Sequence, residues 1–194
     1  YDPDPLRFFL SVNMPENGDT DFSWREFVRR NNDELVATYG NLVHRVLAFT
    51  YRSFNGAVPQ PGELNDKDRS LLNKAGDTFD TVDALLYRCH FREAIRTAMS
   101  LAQEANRYLD DKAPWKRIGE DPGGAATSLY VALSVISCLK TILYPFLPFS
   151  SEKLHNLLGF DGRVEGGGWS LAELAPGQKL ASPQPLFAKL DDRV

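Results

Sequence analysis

The chain has 194 residues, of which 43% are hydrophobic and 25% charged, and its net charge is −4. These are the proportions of an ordinary globular protein with one sizeable core. The acidic balance argues against a DNA-binding protein that grips long duplexes through counterion release. No apolar run approaches the roughly 20 residues that cross a bilayer, so we expect no membrane partner. The two isolated cysteines lack metal-site spacing and favour a cytoplasmic protein without a metal site.

Apolar residues that recur every three or four positions predict helices along most of the chain. A short helix is expected over residues 5–12. Ser23 and Glu26 have the form of a capping box, and a long helix is expected from there to about Phe54, with Trp24 on its inward face. Further helices are predicted over residues 66–88, 91–109 and 125–143, and a short one that Ser150 or Ser151 caps and that ends at Leu158.

The segments between and after these helices complete the predicted architecture. Residues 110–124 are expected to form a loop, and residues 180–190 an extended segment. The tail is too short to form its own core, so it must lie across a neighbour. The sequence therefore predicts an all-α helical bundle with a short extended C-terminal tail. We expect one domain over residues 1–194, made of a connector (1–21), the bundle (22–158) and a tail that packs back (159–194). A first residue other than Met suggests that this is a piece of a longer protein.

No catalytic motif stands out in the sequence. Phosphate-binding, dinucleotide-binding, zinc-protease and nucleophile-elbow strings are absent, and the three histidines are scattered. We therefore predict no catalytic residues here, and a role in binding or docking.

Trp115 is the most informative single residue. It follows Pro114, which helices seldom pass through, and Lys112, Lys116 and Arg117 surround it in sequence. A flat ring presented at a helix end among cations suits an unstacked nucleotide base. The alternative is that Trp115 fills the core at a helix end, which is the commoner role for a tryptophan considered alone.

Asn41 and Arg45 form a second constellation on the long helix. They are four residues apart and therefore share one face, which Arg52 continues. An asparagine side chain both donates and accepts hydrogen bonds, and arginine binds base edges or phosphates. The alternative is an ordinary solvated helix face.

Together these residues carry a resemblance to a known family. The segment Asn41-Leu42-Val43-His44-Arg45, and residues 105–109 leading into Lys112-Ala113-Pro114-Trp115, resemble the anticodon-binding domain of methionyl-tRNA synthetases. Residues 1–10 are similar to the stretch that follows that family's catalytic signature loop, and residues 185–190 to the end of its core chain. The resemblance covers essentially all 194 residues.

The resemblance implies specific site residues. It assigns base stacking to Trp115, and hydrogen bonds to nucleotides of the CAU anticodon to Asn41 and Arg45. Arg52, Lys112, Lys116 and Arg117 then become candidate RNA backbone contacts. The implied partners are the anticodon stem-loop of tRNA(Met) and the catalytic domain of the same ligase.

The resemblance also implies what lies elsewhere in the whole enzyme. The family's HIGH-type and KMSKS-type motifs and its zinc-bearing insertion do not occur in these residues. ATP, magnesium and, in some members, zinc therefore belong to the catalytic domain, and we expect no cofactor in this piece. Two alternatives stay open: the corresponding domain of a cysteinyl, leucyl, isoleucyl or valyl enzyme, and a helical protein-interaction module.

Overall fold

A computed structural model describes residues 2–16 and 18–191 of the chain. The helices in these ranges are, in chain order, α1 (Pro3–Val12), α2 (Trp24–Arg30), a π-helical segment (Asn31–Gly40), α3 (Asn41–Ser53), α4 (Asp66–Tyr87), α5 (Phe91–Lys112), α6 (Pro114–Arg117), α7 (Pro122–Leu143), α8 (Pro148–Leu157) and a 3₁₀ turn (Val164–Gly167). The predicted all-α bundle is confirmed.

The long helix runs from α2 to α3 without a break, but its middle is π-helical. A π-helix longer than a single turn is rare. Side-chain hydrogen bonds support this one: the Thr38 carbonyl accepts a hydrogen bond from Asn106 Nδ2 at 3.1 Å, and Thr38 Oγ1 donates to the Asp33 carbonyl at 2.9 Å. The segment ends at Gly40, so it directly precedes Asn41.

The start of this helix differs from the prediction. Ser23 Oγ accepts from the Glu26 N–H at 3.4 Å, but the Glu26 carboxylate binds Arg29 and Arg30 at 2.6 and 3.0 Å. The helix is therefore capped from one side, because the two arginines one turn on attract the carboxylate more strongly than a backbone N–H does. Trp24, expected to point inward, is half exposed.

The α7 helix lies at the centre of the bundle and is buried along almost its whole length. It packs against α3, α4, α5, α6 and α8. Within the described ranges, α7 is the helix whose length and apolar composition would suffice to cross a membrane, and 89% of that apolar stretch is buried inside the fold. The same composition is what the core helix of a bundle needs.

The tail packs on the helices through both hydrogen bonds and apolar side chains. The Leu180 N–H donates to the Gly56 carbonyl at 2.8 Å, and the Ala181 N–H to the Leu157 carbonyl at 3.0 Å. Phe187 lies against Gly40, where an added Cβ would come within 3.1 Å of its ring. The tail thus covers the end of the π-helical segment. Residues 192–194 lie outside the described part.

Two loop and cap predictions are wrong. Residues 110–124 are mostly helical, because α5 extends to Lys112, and Pro114 and Pro122 occupy first helical positions, where a proline needs no N–H partner. The α8 helix begins at Pro148 rather than after a serine cap. Its free Ser150 N–H donates instead to Asp4 Oδ2, at 2.6 Å, from the distant helix α1.

Candidate nucleic-acid interface

The solvent face of α3 carries Asn41, His44 and Arg45 in its first two turns. Asn41 is exposed, and the Arg45 side chain is one third exposed. Arg45 Nη2 lies 3.4 Å from Asp110 Oδ1, near the end of α5. An ion pair this exposed and this long stabilises the fold by little, so its guanidinium can move to another acceptor at small cost.

Trp115 is partly buried, so it is neither a fully enclosed core residue nor a freely exposed ring. Its ring packs against the main core, yet the Arg45 guanidinium lies over that ring at 4.4 Å from the centroid. The backbone presents it in a tight reversal: Ala113 adopts a left-handed conformation (φ 42°, ψ 54°), and Pro114 begins α6. The structure therefore brings Arg45 and Trp115 together although 70 residues separate them in the sequence.

Two shallow grooves meet at this place. One, of about 540 Å³, is lined by Arg45, Arg52 and Trp115 together with Pro183 of the tail. The other, of about 410 Å³, is lined by Asn41 and by tail residues that include Phe187. His44 borders both grooves. Asn41 and Trp115 thus belong to one continuous surface, which we call the α3–α6 surface.

The remaining predicted contacts divide into two groups. Arg52, Lys116 and Arg117 are exposed on or beside the α3–α6 surface. Arg117 pairs with Asp121 one turn away at 3.0 Å, with both side chains about half exposed. These side chains can reach a phosphate without losing buried interactions.

Lys112 is the exception and requires a correction. Its side chain is 11% exposed, and its Nζ lies 2.6 Å from Asp68 Oδ1, which is almost completely buried. The same carboxylate accepts hydrogen bonds from Tyr108 Oη at 2.8 Å and the Asn65 N–H at 2.9 Å. Burial raises the pKa of Asp68, but the ammonium and these two hydrogen bonds outweigh it, so the pKa lies below its usual value. Pulling Lys112 out to a phosphate would leave a buried carboxylate without its cation.

Sequence reasoning missed the contribution of the tail and of His44. His44 follows Asn41 by three residues, so helical spacing was a usable signal. Nothing local in the sequence indicates that Pro183 lines a groove formed by α3 and α6. A larger groove, of about 960 Å³, lies between α4 and α5, but acidic and basic side chains alternate along it and no aromatic platform is exposed there.

Comparison with known proteins identifies the family. A model of the anticodon binding domain of methionyl tRNA ligase matches residues 58–194. The chain belongs to this family of anticodon-binding domains. A second model, of class I tRNA synthetases of the methionine type, matches residues 1–47. Asn41 and Arg45 therefore fall within the second match, and Trp115 within the first.

The relatives agree with this assignment. The chain is 55% identical over 194 residues to a methionine–tRNA ligase of Dehalococcoides mccartyi and 45% identical over 220 residues to that of Roseiflexus castenholzii. All of this chain is covered, but only 35% and 37% of those relatives. The fold matches a free-state methionyl-tRNA synthetase of Mycobacterium tuberculosis, with a TM-score of 0.90, 29% identity, and coverage of 97% of this chain and 39% of that one. The methionyl assignment replaces the alternatives among cysteinyl, leucyl, isoleucyl and valyl enzymes.

Proposed function

We propose that this chain selects tRNA(Met) for a methionine–tRNA ligase by binding the CAU anticodon on the α3–α6 surface. One observation carries the proposal: the Arg45 guanidinium lies over the half-buried Trp115 ring, and Arg45 is itself one helical turn from the exposed Asn41. A fixed aromatic plane next to a side chain that can read base edges is the combination that single-stranded RNA recognition uses.

Trp115 supplies the stacking platform. Its inner contacts with the core hold the ring still, so little side-chain entropy is lost when a base binds. The Arg45 guanidinium already lies over the ring, 4.4 Å from its centroid, which supports the proposal that a flat group can occupy this place. An anticodon base either displaces the guanidinium or extends the stack, since a guanidinium plane also stacks on bases. Each stacked base contributes about 1–3 kcal/mol.

Asn41 and Arg45 supply selectivity. The Asn41 amide can donate and accept at the same base edge, and Arg45 can form two parallel hydrogen bonds to a base or a phosphate. The exposed contact of Arg45 with Asp110 holds the guanidinium near the groove until RNA arrives. The negative charge of Asp110 also disfavours phosphate binding without a matching base, which favours selection over general affinity.

Arg52, Lys116 and Arg117 are proposed as contacts to the RNA backbone on either side of the anticodon bases. These three positive charges form a local basic patch on a chain whose net charge is −4. We therefore expect affinity to come more from stacking and hydrogen bonds than from counterion release, and a shallow dependence on salt.

The activity of the whole protein is also part of this proposal. The chain spans little more than a third of the length of its curated relatives. We propose that its parent joins methionine to tRNA(Met) with ATP, with the ATP, magnesium and any zinc held by a catalytic domain. That domain is then a partner of this one, and the protein works in the cytoplasm. The described residues supply tRNA selection and no catalytic group.

A hairpin exchange tests the proposal. RNA hairpins with an identical stem and a CAU, GAU or GCA anticodon are labelled and titrated with the chain, and binding is followed by fluorescence anisotropy. We expect the CAU hairpin to bind at least about fivefold more tightly than the others, since one mismatched polar contact costs about 1–3 kcal/mol. Equal binding of all three would refute anticodon selection, and no binding of any would favour the protein-interaction alternative.

A further inference from the structure

We infer that Asp68 and Lys112 are positioning residues for RNA recognition, because their buried ion pair fixes the chain reversal that presents Trp115. The inference rests on the proposed function and adds to it two residues that do not touch the RNA. It also gives a role to the lysine that the sequence placed among the backbone contacts.

The connection between Lys112 and Trp115 is short and under strain. Lys112 is the last residue of α5, Ala113 is in the left-handed region, and Pro114 begins α6. Left-handed backbone is unfavourable for a residue with a Cβ, and it persists where the flanking structure holds it. The Ala113 carbonyl accepts from the Lys116 and Arg117 N–H groups at 2.9 and 3.3 Å, which fixes the α6 side of the reversal. On the α5 side, the Ala113 N–H donates to the Leu109 carbonyl at 2.8 Å, so the position of the reversal depends on how the last turn of α5 is held.

The Asp68 carboxylate holds that turn from another helix. Asp68 lies in the first turn of α4, where it and Asn65 form a reciprocal capping box with hydrogen bonds of 2.9 and 3.1 Å. Its Oδ1 then receives Tyr108 Oη and Lys112 Nζ, which lie one helical turn apart on α5. The last turn of α5 is thus bound at two points to a buried carboxylate that the capping box with Asn65 holds in place.

A neighbouring ion pair provides a matched control. Lys67 and Asp111 are adjacent in sequence to Asp68 and Lys112, and they join the same two helices at 3.0 Å. Both are about two thirds exposed, whereas Asp68 and Lys112 are 2% and 11% exposed. The exposed pair is screened by water and holds the helices weakly. Each pair joins one lysine and one aspartate of the same two helices, with the aspartate on α4 in the buried pair and on α5 in the exposed pair. The buried pair differs in its burial and in the hydrogen bonds that Asp68 makes with Asn65 and Tyr108.

The first experiment compares Asp68→Asn with Asp111→Asn in a chain where Trp24→Phe and Trp169→Phe leave Trp115 as the only tryptophan. Charge alone predicts that both variants bind the CAU hairpin more tightly, because each loses a negative charge. The positioning role predicts the opposite sign for Asp68→Asn alone. We expect its affinity to fall about five- to tenfold, within the range of a weakened stack, and its Trp115 emission maximum to shift in the absence of RNA. Asp111→Asn is expected to leave the Trp115 emission maximum unchanged and not to lower the affinity for the hairpin.

The second experiment separates positioning from direct contact with phosphate. Lys112→Met is expected to weaken hairpin binding without changing the slope of log K against log salt, and Lys112→Arg to restore binding. A lysine on a phosphate would instead lower that slope by about 0.7 on removal. Helix content is checked by far-ultraviolet circular dichroism; if Asp68→Asn loses helix, the Lys112 pair of variants carries the test.

The inference is overturned if Asp68→Asn binds the hairpin as tightly as the unaltered chain with unchanged Trp115 emission, or if Lys112→Met lowers the salt slope. Failure of the unaltered chain to bind any hairpin would refute the proposed function instead. In that case the emission of Trp115 in Asp68→Asn and Asp111→Asn still decides whether the buried pair positions the ring.

Discussion

Replacement of Lys140 by methionine is expected to remove a pH dependence from the stability of the fold. Lys140 lies on the central helix α7 and is 1% exposed. Its ammonium contacts His155 Nδ1 at 3.4 Å and lies 4.2 Å from the centroid of the Phe160 ring. Burial lowers the pKa of Lys140 from 10.5 to about 8, and the nearby Glu152 offsets only part of that effect.

The sign of the effect follows from which state holds the proton. Between pH 8 and 10.5 the unfolded chain keeps a proton on Lys140 that the folded chain has lost, so stability rises with pH through this interval. The full gap corresponds to about 3 kcal/mol. Between about pH 7.5 and about pH 9.5, the stability of the unaltered chain should rise by about 2 kcal/mol relative to Lys140→Met. The variant is expected to fold, because an apolar side chain of similar length replaces a buried charge.

Urea unfolding followed by circular dichroism at a series of pH values measures the difference. Cys138 also contributes in this interval, because burial raises the pKa of its thiol from 9.0 to about 12 and only the unfolded chain loses that proton here. The resulting loss of stability with rising pH is the same in both proteins and cancels in the comparison. Lys74→Met, at an exposed position of α4, is the control. A difference between the unaltered chain and Lys140→Met that stays constant across the interval would refute the reasoning.

Three further substitutions test the site and the tail. Trp115→Ala should weaken CAU hairpin binding about 5- to 150-fold with helix content kept; loss of helix by circular dichroism would support the core-filling role instead. Arg45→Gln should weaken binding and lower the salt slope by about 0.7, and an unchanged affinity and slope would remove it from the site. Gly159→Ala should lower the free energy of unfolding by more than about 1 kcal/mol, because its Cβ would collide with the Lys179 carbonyl. Gly162→Ala has a similar positive φ and open space, so equal losses in urea unfolding would contradict the steric explanation.

The helices could be predicted because their periodicity is local information. Leu35, Tyr39, Leu42 and Val46 recur every three or four residues along the long helix, and all four are buried. The π-helical segment could not be predicted, because the groups that support it come from elsewhere: Asn106 on α5 donates to the Thr38 carbonyl, and Phe187 of the tail packs beside Gly40. The predicted serine cap of α8 was wrong for the same reason, because the group that accepts from the Ser150 N–H is Asp4, more than 140 residues away in the sequence.

The site divides in the same way. Helical spacing is sufficient to place Asn41 and Arg45 on one face, and Pro114 is sufficient to mark a break before Trp115. Helical spacing within α3 says nothing about how far α3 lies from α6, so the contact of Arg45 with Trp115 could not be predicted from the sequence. Lys112 was misassigned because a lysine at a helix end is usually solvated; its buried partner Asp68 lies on a different helix.

Fluorescence of Trp115 during titration with the CAU hairpin decides whether this ring is a stacking platform for the anticodon. With Trp24 and Trp169 replaced by phenylalanine, the signal comes from Trp115 alone. We expect saturable quenching by the CAU hairpin, because a base stacks on or beside the indole, and much weaker quenching by a hairpin with the same stem and a scrambled anticodon. Emission that the CAU hairpin leaves unchanged, or that both hairpins quench equally, would contradict it.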